Sequence, residues 1–587
     1  MNESIFDLVK KQETNYQKGS IKQGKYVDFD MLETIEKINA YSHSKHVSGP
    51  NDALGRQKPF FNICTAAINV WFKATDIDRK NIKFKATKAS NYIKAFIASI
   101  LLRNWMRKIN FGKFLNEWGR TLAKYGSAVS KFVEKDGQLI ATVVAWDRMI
   151  CDPINFTDNI KIEKLWYTPA QLRRMPYDQK LIKEIIDDAT ESRETASGEK
   201  KDLRDDYIPL YEVHGELPLS YLTDKEKDDD TYRQQMHVLY LNGKGETSLY
   251  KGKEKKDPYM ITHLIEEDGR TLSIGAVEHL FNAQWMVNHS VKQIKDQLDL
   301  ASKMVLQTAD KDFVGKNVLD EIETGDILTY AEGKPLTQVN NQSHDTPAIS
   351  DYLERWKGIA REITGTPEAM TGETMPSGTP YSQTALLNQE AHTLFDLMTE
   401  NKGLSLEDML REHIIPFFKK SLNNKDEIAV VLDGEEIDQL DELDLPDKLE
   451  QELKRRVLNE EEVPPVEQME QEIKAKNSKF GYTRFLSTVK QTWAEWISDL
   501  EDSIEVEITN ENNDKRTALT SLNTVLQTIA GNPQILADPN GRMVFNMILS
   551  EIGLINPIQL RKTETQSAAP IGGGVGAPQI NPNQPIQ

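Results

Sequence analysis

A chain of 587 residues with 39% hydrophobic and 8% aromatic side chains has enough apolar material for more than one packed unit, which excludes a mainly disordered protein. Its 91 acidic and 72 basic side chains leave a formal charge of −19, which on its face argues against a partner as anionic as nucleic acid. Two cysteines, Cys64 and Cys151, exclude a disulfide scaffold and a multi-cysteine zinc site. No run of 18 apolar residues occurs; the best, Tyr92 to Met106, is broken by Lys94 and Arg103, so no membrane partner is expected. The opening MNESIFDLVKKQ lacks the basic-then-apolar layout of a signal peptide.

In chain order, residues 1–50 are polar and read as an N-terminal arm with a helix over Met31–Tyr41 and a loop at Ser48-Gly-Pro. Phe60–Phe72 reads as a helix, Ile82-Lys-Phe as a short strand, and Tyr92–Tyr125 as a helix pair closed by Gly126. The period then drops to two. Ala128–Val133 and Leu139–Ala145 predict strands around the turn Asp136-Gly137. Helices are predicted over Pro169–Met175 and Asp178–Ala189, then strands over Tyr207–His214 and Met236–Tyr250 about Asn242-Gly243.

From Gly275 to Gln307 no proline interrupts an apolar ladder of Val277, Leu280, Phe281, Val287, Val291, Ile294 and Leu298. A helix of that length would reach roughly 45 Å. An insert with glycines and β-type runs follows, then a helix from Pro347 to Thr364. GTPEAMTGETMPSGTPYS, residues 365–382, has no regular period and predicts a long loop, which in a packed fold is usually functional. A third long helix runs from Tyr381 towards Leu422, with Gly403 as a kink and Pro416 as a bend. Beyond an acidic segment, residues 480–554 predict helices and a strand at Ile504–Ile508, and the tail beyond residue 560 is low-complexity and expected to be disordered.

Charge is unevenly placed. Residues 1–130 carry 22 Lys/Arg against 11 Asp/Glu, a local +11, whereas residues 425–474 carry 18 acids against 6 bases, a local −12. Opposite patches on one chain permit head-to-tail association of copies, although two ordinary solvated faces would give the same counts.

Catalytic patterns are missing from the sequence. There is no G-x-x-x-x-G-K-[ST] phosphate loop; Gly49 and Gly55 are followed by Arg56-Gln57. There is no G-x-S-x-G elbow, and His43 and His46, three apart, have no nearby Cys, Asp or Glu to complete a metal set. The expectation is a non-enzyme with no cofactor and no metal.

Three stretches carry a family resemblance: FGKFLNEWGRTLAKYGSAVSKFVEKDGQLIATVVAWDRMICDP (Phe111–Pro153), SIGAVEHLFNAQWMVNHSVKQIKDQ (Ser273–Gln297) and ITGTPEAMTGETMPSGTPYSQTALLNQEA (Ile363–Ala391). Their order resembles the portal proteins, or head-tail connectors, of tailed double-stranded DNA bacteriophages, over about residues 60–560. The resemblance implies an α+β, predominantly helical fold with wing, stem, clip and crown parts. The arm would be 1–50, the wing 51–272, the first stem helix 273–307 and the clip 308–346. The second stem helix would be 347–364, the tunnel loop 365–382, the wing spine helix and acidic segment 383–479, and the crown 480–560.

It further implies a homo-oligomeric ring, typically a dodecamer of twelve copies, in the virion at the portal vertex of the capsid and assembled in the host cytoplasm. Double-stranded DNA would pass through it without sequence specificity. Its protein partners would be the terminase large subunit, the major capsid and scaffolding proteins, and the neck or head-tail adaptor proteins. Glu368, Met370, Thr371, Gly372, Glu373 and Met375 of the tunnel loop would approach DNA. Lys292, Lys295 and Lys303 on the first stem helix are candidate lumen cations, or else solvated lysines paired with Asp296 and Asp299. Lys83, Lys85 and Lys88 are candidate subunit contacts with acidic surface on a neighbour. The alternative is another structural virion component, a neck adaptor or internal scaffold, without a DNA channel.

Overall fold

In the computed structural model the first helix, α1 (Ile5–Lys18), begins where Ser4 and Asp7 satisfy each other's backbone in a reciprocal capping box. The structure describes residues 4–486 and 504–506, except 24–26, 78–81, 85–91, 136, 196–205, 224–230, 243–244, 304–305, 310, 312–331, 335–336, 339–345, 367–380, 422–427, 432–433, 460–461, 480 and 482. It is mixed helix and sheet, 54% helical. The chain divides at residues 508/509 into two units, and all elements below belong to the first, Met1–Ile508.

A hairpin, β1 (Ser20–Gln23) and β2 (Val27–Asp30), leads to α2 (Met31–Ser42), which Asp30 caps by accepting the Glu33 N–H. Residues 1–50 were expected as an arm. Ile5, Val9, Met31, Ile35 and Ile38 instead bury themselves in the main core, because their helical spacing gives two polar helices one apolar face each. Next come α3 (Cys64–Ala74), β3 (Ile82–Phe84), α4 (Tyr92–Lys108) and α5 (Phe111–Tyr125). Helix α5 lays Phe111, Phe114 and Trp118 into the core as a stacked ladder, with centroids 5.1 and 6.2 Å apart.

Gly126 ends α5 in the left-handed conformation (φ 78°), with its N–H bonded to Leu122 O at 2.7 Å. A Cβ on Gly126 would lie 2.6 Å from the Ile274 carbonyl carbon, and one on Gly275 would lie 2.5 Å from Gly126 N. Two glycines thus let the α5 corner touch the backbone that opens the long-helix region.

Strands β4 (Ser127–Lys135) and β5 (Gln138–Val144) form the expected hairpin. Then follow β6 (Met149–Ile150), β7 (Lys161–Tyr167), α6 (Pro169–Leu172), α7 (Gln179–Thr195), β8 (Ile208–Pro218), α8 (Ser220–Thr223), β9 (Tyr232–Leu241), β10 (Glu246–Lys253) and β11 (Tyr259–His263). They make an antiparallel five-stranded sheet, β10-β9-β8-β7-β6, and a three-stranded sheet, β11-β4-β5. Alternation on β8 serves two cores. Ile208 and Leu210 pack under α7 with Ile182 and Ile185, while Tyr211 and Val213 join the main core.

The long helix expected over 275–307 is interrupted and shorter. A turn of helix, α9 (Ala276–His279), gives way at Leu280 (φ −95°, ψ 2°), whose side chain is buried, and α10 spans Phe281–Ala301. Burying Leu280 with Val277 outweighs continuing one straight helix. At its far end the chain leaves the helix to form β12 (Leu306–Gln307), which pairs antiparallel with β13 (Thr337–Gln338). Helix α11 (Thr346–Ile363) then returns along α10.

Helix α12 (Tyr381–Met409) runs through Gly403, the expected kink, and departs from α geometry only in a π turn at Leu410–Ile414, before α13 (Ile415–Ser421). Pro416 cannot donate to the carbonyl of residue 412, and the wider turn accommodates that loss. Beyond it lie β14 (Ile428–Val431), α14 (Gly434–Leu458), α15 (Val466–Ser478), β15 (Thr483–Leu486), which pairs with β14, and β16 (Ile504–Val506), which pairs with β3. The acidic segment is therefore a helical hairpin. Arg456 bridges Glu452 and Glu472, and the bonds from Arg455 and Arg456 hold the Glu452 carboxyl down to about 2. Other than residues 481, 483–486 and 504–506, the expected crown lies outside the described residues. Among the described residues no helix is long and apolar enough to cross a membrane.

Candidate functional site

The helix–ladder–helix module of α10, β12/β13 and α11 is positioned by the polar face of α10. Gln284 Oε1 accepts from Ile63 N at 3.0 Å, its Nε2 donates to Phe61 O at 2.6 Å, and Asn288 Oδ1 accepts from Phe61 N at 3.0 Å. Two buried amides thus satisfy backbone groups of the 61–63 segment that leads into α3. Helix α11 returns antiparallel to α10. Thr346 Oγ1 donates to Gln297 Oε1 at 3.2 Å, and Lys357 near its other end sits 4.6 Å over the ring of Phe61, the residue Asn288 holds.

Two of the three lysines expected on a first stem helix, Lys292 and Lys295, face the 51–57 loop of the same chain. Asp52 anchors that loop, accepting the N–H groups of Leu54 and Arg56 and an ion pair from Arg56, and the Arg56 backbone bond leads in holding its carboxyl down to about 2. Arg56 reaches Asp296 at 3.2 Å, Lys292 lies 3.7 Å from Asp52, and Lys295 Nζ lies 3.5 Å from Gln57 O. Their partners are loop groups, with Asp296 taken by Arg56. Lys303 lies beyond the end of α10, its N–H bonded to Leu300 O.

Lys83 is exposed on β3, in register with Glu505 of β16 within the same chain, while Lys85 and Lys88 lie outside the described residues. So do Glu368, Met370, Thr371, Gly372, Glu373 and Met375. The described residues just before them, 364–366, are firmly held. Trp71 Nε1 donates to Thr364 O at 2.9 Å, Gly365 takes φ 60°, and the buried Thr364 and Thr366 hydroxyls bond at 2.8 Å.

Sequence reasoning missed a buried charge network that locks the two sheets together. Lys131 Nζ (β4) lies 2.7 Å from both Glu163 (β7) and Glu212 (β8). Tyr259 OH (β11) donates to Glu163 at 2.9 Å. His214 Nδ1 is 2.9 Å from Glu254 and its Nε2 is 3.2 Å from Glu212. Lys161 pairs with Asp257 beside it. The signal was present, as Glu212 and His214 interrupt the apolar run that begins at Ile208. Burial opposes the charge on both; His214 and Lys131 nevertheless hold the Glu212 carboxyl down to about 2, and the two carboxylates raise the His214 imidazole. Among the described residues no group of three or more His, Cys, Asp or Glu side chains could hold a metal ion.

One open groove, of about 470 Å3, lies between α2, the 46–59 loop and α10. Lys37, His46, Lys58, Trp285, His289 and Lys292 line it. His46 Nε2 lies 3.0 Å from the Pro59 carbonyl. No protein-family model matches the chain, and no curated protein matches it.

Proposed function

We propose that this chain is the subunit of a ring that forms the double-stranded DNA channel at one vertex of a tailed-phage capsid, a portal protein. What carries the reading beyond the sequence resemblance is apolar surface left uncovered on the long helices. Helix α11 is strongly amphipathic, yet Ala360 is its one fully buried residue, and Tyr352, Ile359 and Ile363 fall on one stripe exposed by 39–47%. Helix α12 buries Phe395, Met398, Leu406 and Met409 and turns Leu394, Leu397 and Leu404 outward. Such stripes on helices that also support a core suit contact with further copies of the chain.

In this reading α10 and α11 form the stem, the β12/β13 ladder begins the clip, and the loop beyond Thr366 reaches the DNA. The terminase motor, capsid and scaffolding proteins, and later the neck proteins, would dock on the outside. Negative-stain microscopy with light scattering on the purified chain tests it. Closed rings with a central hole are the expected result, and monomers or extended rods would overturn it.

A further inference from the structure

The groove between α2, the 46–59 loop and α10 has the chemistry of a nucleotide site, and nothing in the ring reading uses it. Its volume, about 470 Å3, falls in the ordinary range for small-ligand sites. Three lysines from three separate elements line it. Lys37 on α2 has its ammonium 4.5 Å from the Phe281 ring centroid, Lys58 on the loop donates to Ser48 Oγ at 2.9 Å, and Lys292 on α10 lies 3.7 Å from Asp52. An ammonium has three donors, and these contacts leave donors over on each. Glu33 is the one acid on the groove wall, so the lining is net cationic in a chain that is net −19.

The second component is a planar shelf. Trp285 and His289, one helical turn apart on α10, stack at an interplanar angle of 3° with centroids 5.3 Å apart. Trp285 is 56% exposed. Its helix neighbours Gln284 and Asn288 are buried and bonded to the 61–63 segment, so the turn carrying the shelf is fixed in place. A wide apolar ring left open beside several cations suits a ligand that is itself flat and anionic. An acidic peptide would use the lysines and leave the shelf idle.

We propose that this groove binds a nucleotide, its phosphate held by Lys37, Lys58 and Lys292 and its base stacked on Trp285. The same chemistry is offered by a free mononucleotide and by an unpaired nucleotide of a DNA strand; a base inside a duplex cannot reach the shelf. The groove lies within one chain, so its occupancy does not depend on ring formation.

Isothermal titration of the full chain with dAMP, a short single-stranded oligonucleotide, a blunt duplex, a Glu-rich peptide and inorganic phosphate tests this. Saturable binding of dAMP identifies a free nucleotide as ligand, and binding of the single strand alone identifies a DNA end; both support the site. Trp285→Ala should weaken that binding roughly tenfold, the scale of one base–aromatic stack. The double change Lys58→Ala/Lys292→Ala should weaken it and flatten its salt dependence. All three side chains are at least partly exposed, and a thermal melt matching the parent excludes loss of fold as the cause. No binding of either nucleotide ligand, binding indifferent to Trp285, or inorganic phosphate or the peptide binding as tightly as dAMP would each overturn the proposal.

Discussion

Two buried basic side chains respond to pH in opposite directions, and the reason is what each finds in place of water. Lys402 on α12 is fully buried, donating to Thr75 O at 2.7 Å and lying 5.1 Å over the Trp118 ring. Burial therefore pushes its ammonium down to about 8, against a smaller upward pull from Asp76. Between pH 8 and 10.5 the unfolded chain holds a proton there that the folded one lacks, so stability rises with pH across that window, by on the order of 3 kcal/mol. Denaturant melts from pH 7.5 to 10.5 should show this rise relative to Lys402→Met; parallel curves for the two proteins would refute it. His214 runs the other way. Burial lowers its imidazole, but Glu212 and Glu254 outweigh that and raise it, so its contribution is full below the ordinary value of 6.5 and fades as pH climbs through the raised one. Lys131 stands between two buried carboxylates, and Lys131→Met should cost about 3–5 kcal/mol, because Glu163 and Glu212 lose the ammonium that both contact. Urea unfolding at pH 7 measures it, and a loss below 1 kcal/mol would mean that water replaces the lysine.

At the scale of elements, local signals were legible and long-range ones were not. The α4–α5 pair, the Gly126 stop, the β4–β5 hairpin and the α11 start could all be read because each is written in spacing or in a cap. The break at Leu280 was invisible, since apolar periodicity continues through it and only tertiary burial decides. The pairing of β3 with β16 joins residues more than 400 positions apart, which no local pattern encodes. The same limit hid the groove, whose walls come from residues 33–59 and 285–292. Gln284 shows what such a contact is worth. Replacing it with Ala removes the bonds to Ile63 N and Phe61 O and leaves two part-buried backbone groups unpaired, a loss of about 1–2 kcal/mol by thermal or urea melts. Hydrogen exchange should then rise first at 61–64; uniform change across the fold would argue against a local anchor. The residues expected in a tunnel loop, and Lys85 and Lys88, stand as sequence expectations, since they fall outside the described residues.

For the molecule as a whole, the charge that first argued against DNA is consistent with a channel, and the two ideas differ in a measurable slope. A protein that grips duplex DNA through 6–10 phosphates loses about 10³–10⁵ in affinity between 50 and 200 mM salt. A conduit must let the polymer slide, so dense phosphate contacts would oppose its task. Of the three lysines expected on a first stem helix, Lys292 sits beside Asp52 and Lys295 beside the Gln57 carbonyl, and Arg56 is tied to Asp52 and Asp296, so the positive charge of this region is largely offset within the chain. With a formal −19 on each subunit, a ring of several copies would repel duplex DNA at a distance. Assembled rings are therefore expected to bind a blunt duplex weakly and without sequence preference, with a salt slope corresponding to no more than about 3 phosphates per duplex. Fluorescence anisotropy at 50 and 200 mM salt reads this directly. Tight binding with a slope near that of a gripping protein would sink the conduit reading even if rings form. Assembly itself should follow the apolar stripes more than Lys83, Lys85 and Lys88. Ile359→Asp/Ile363→Asp should leave a folded but monomeric chain, whereas charge reversal at Lys83, Lys85 and Lys88 should weaken rings chiefly at low salt, where an exposed pairing is least screened. Light scattering across a salt series separates the two; rings indifferent to the stripe change would place the subunit contact on another face.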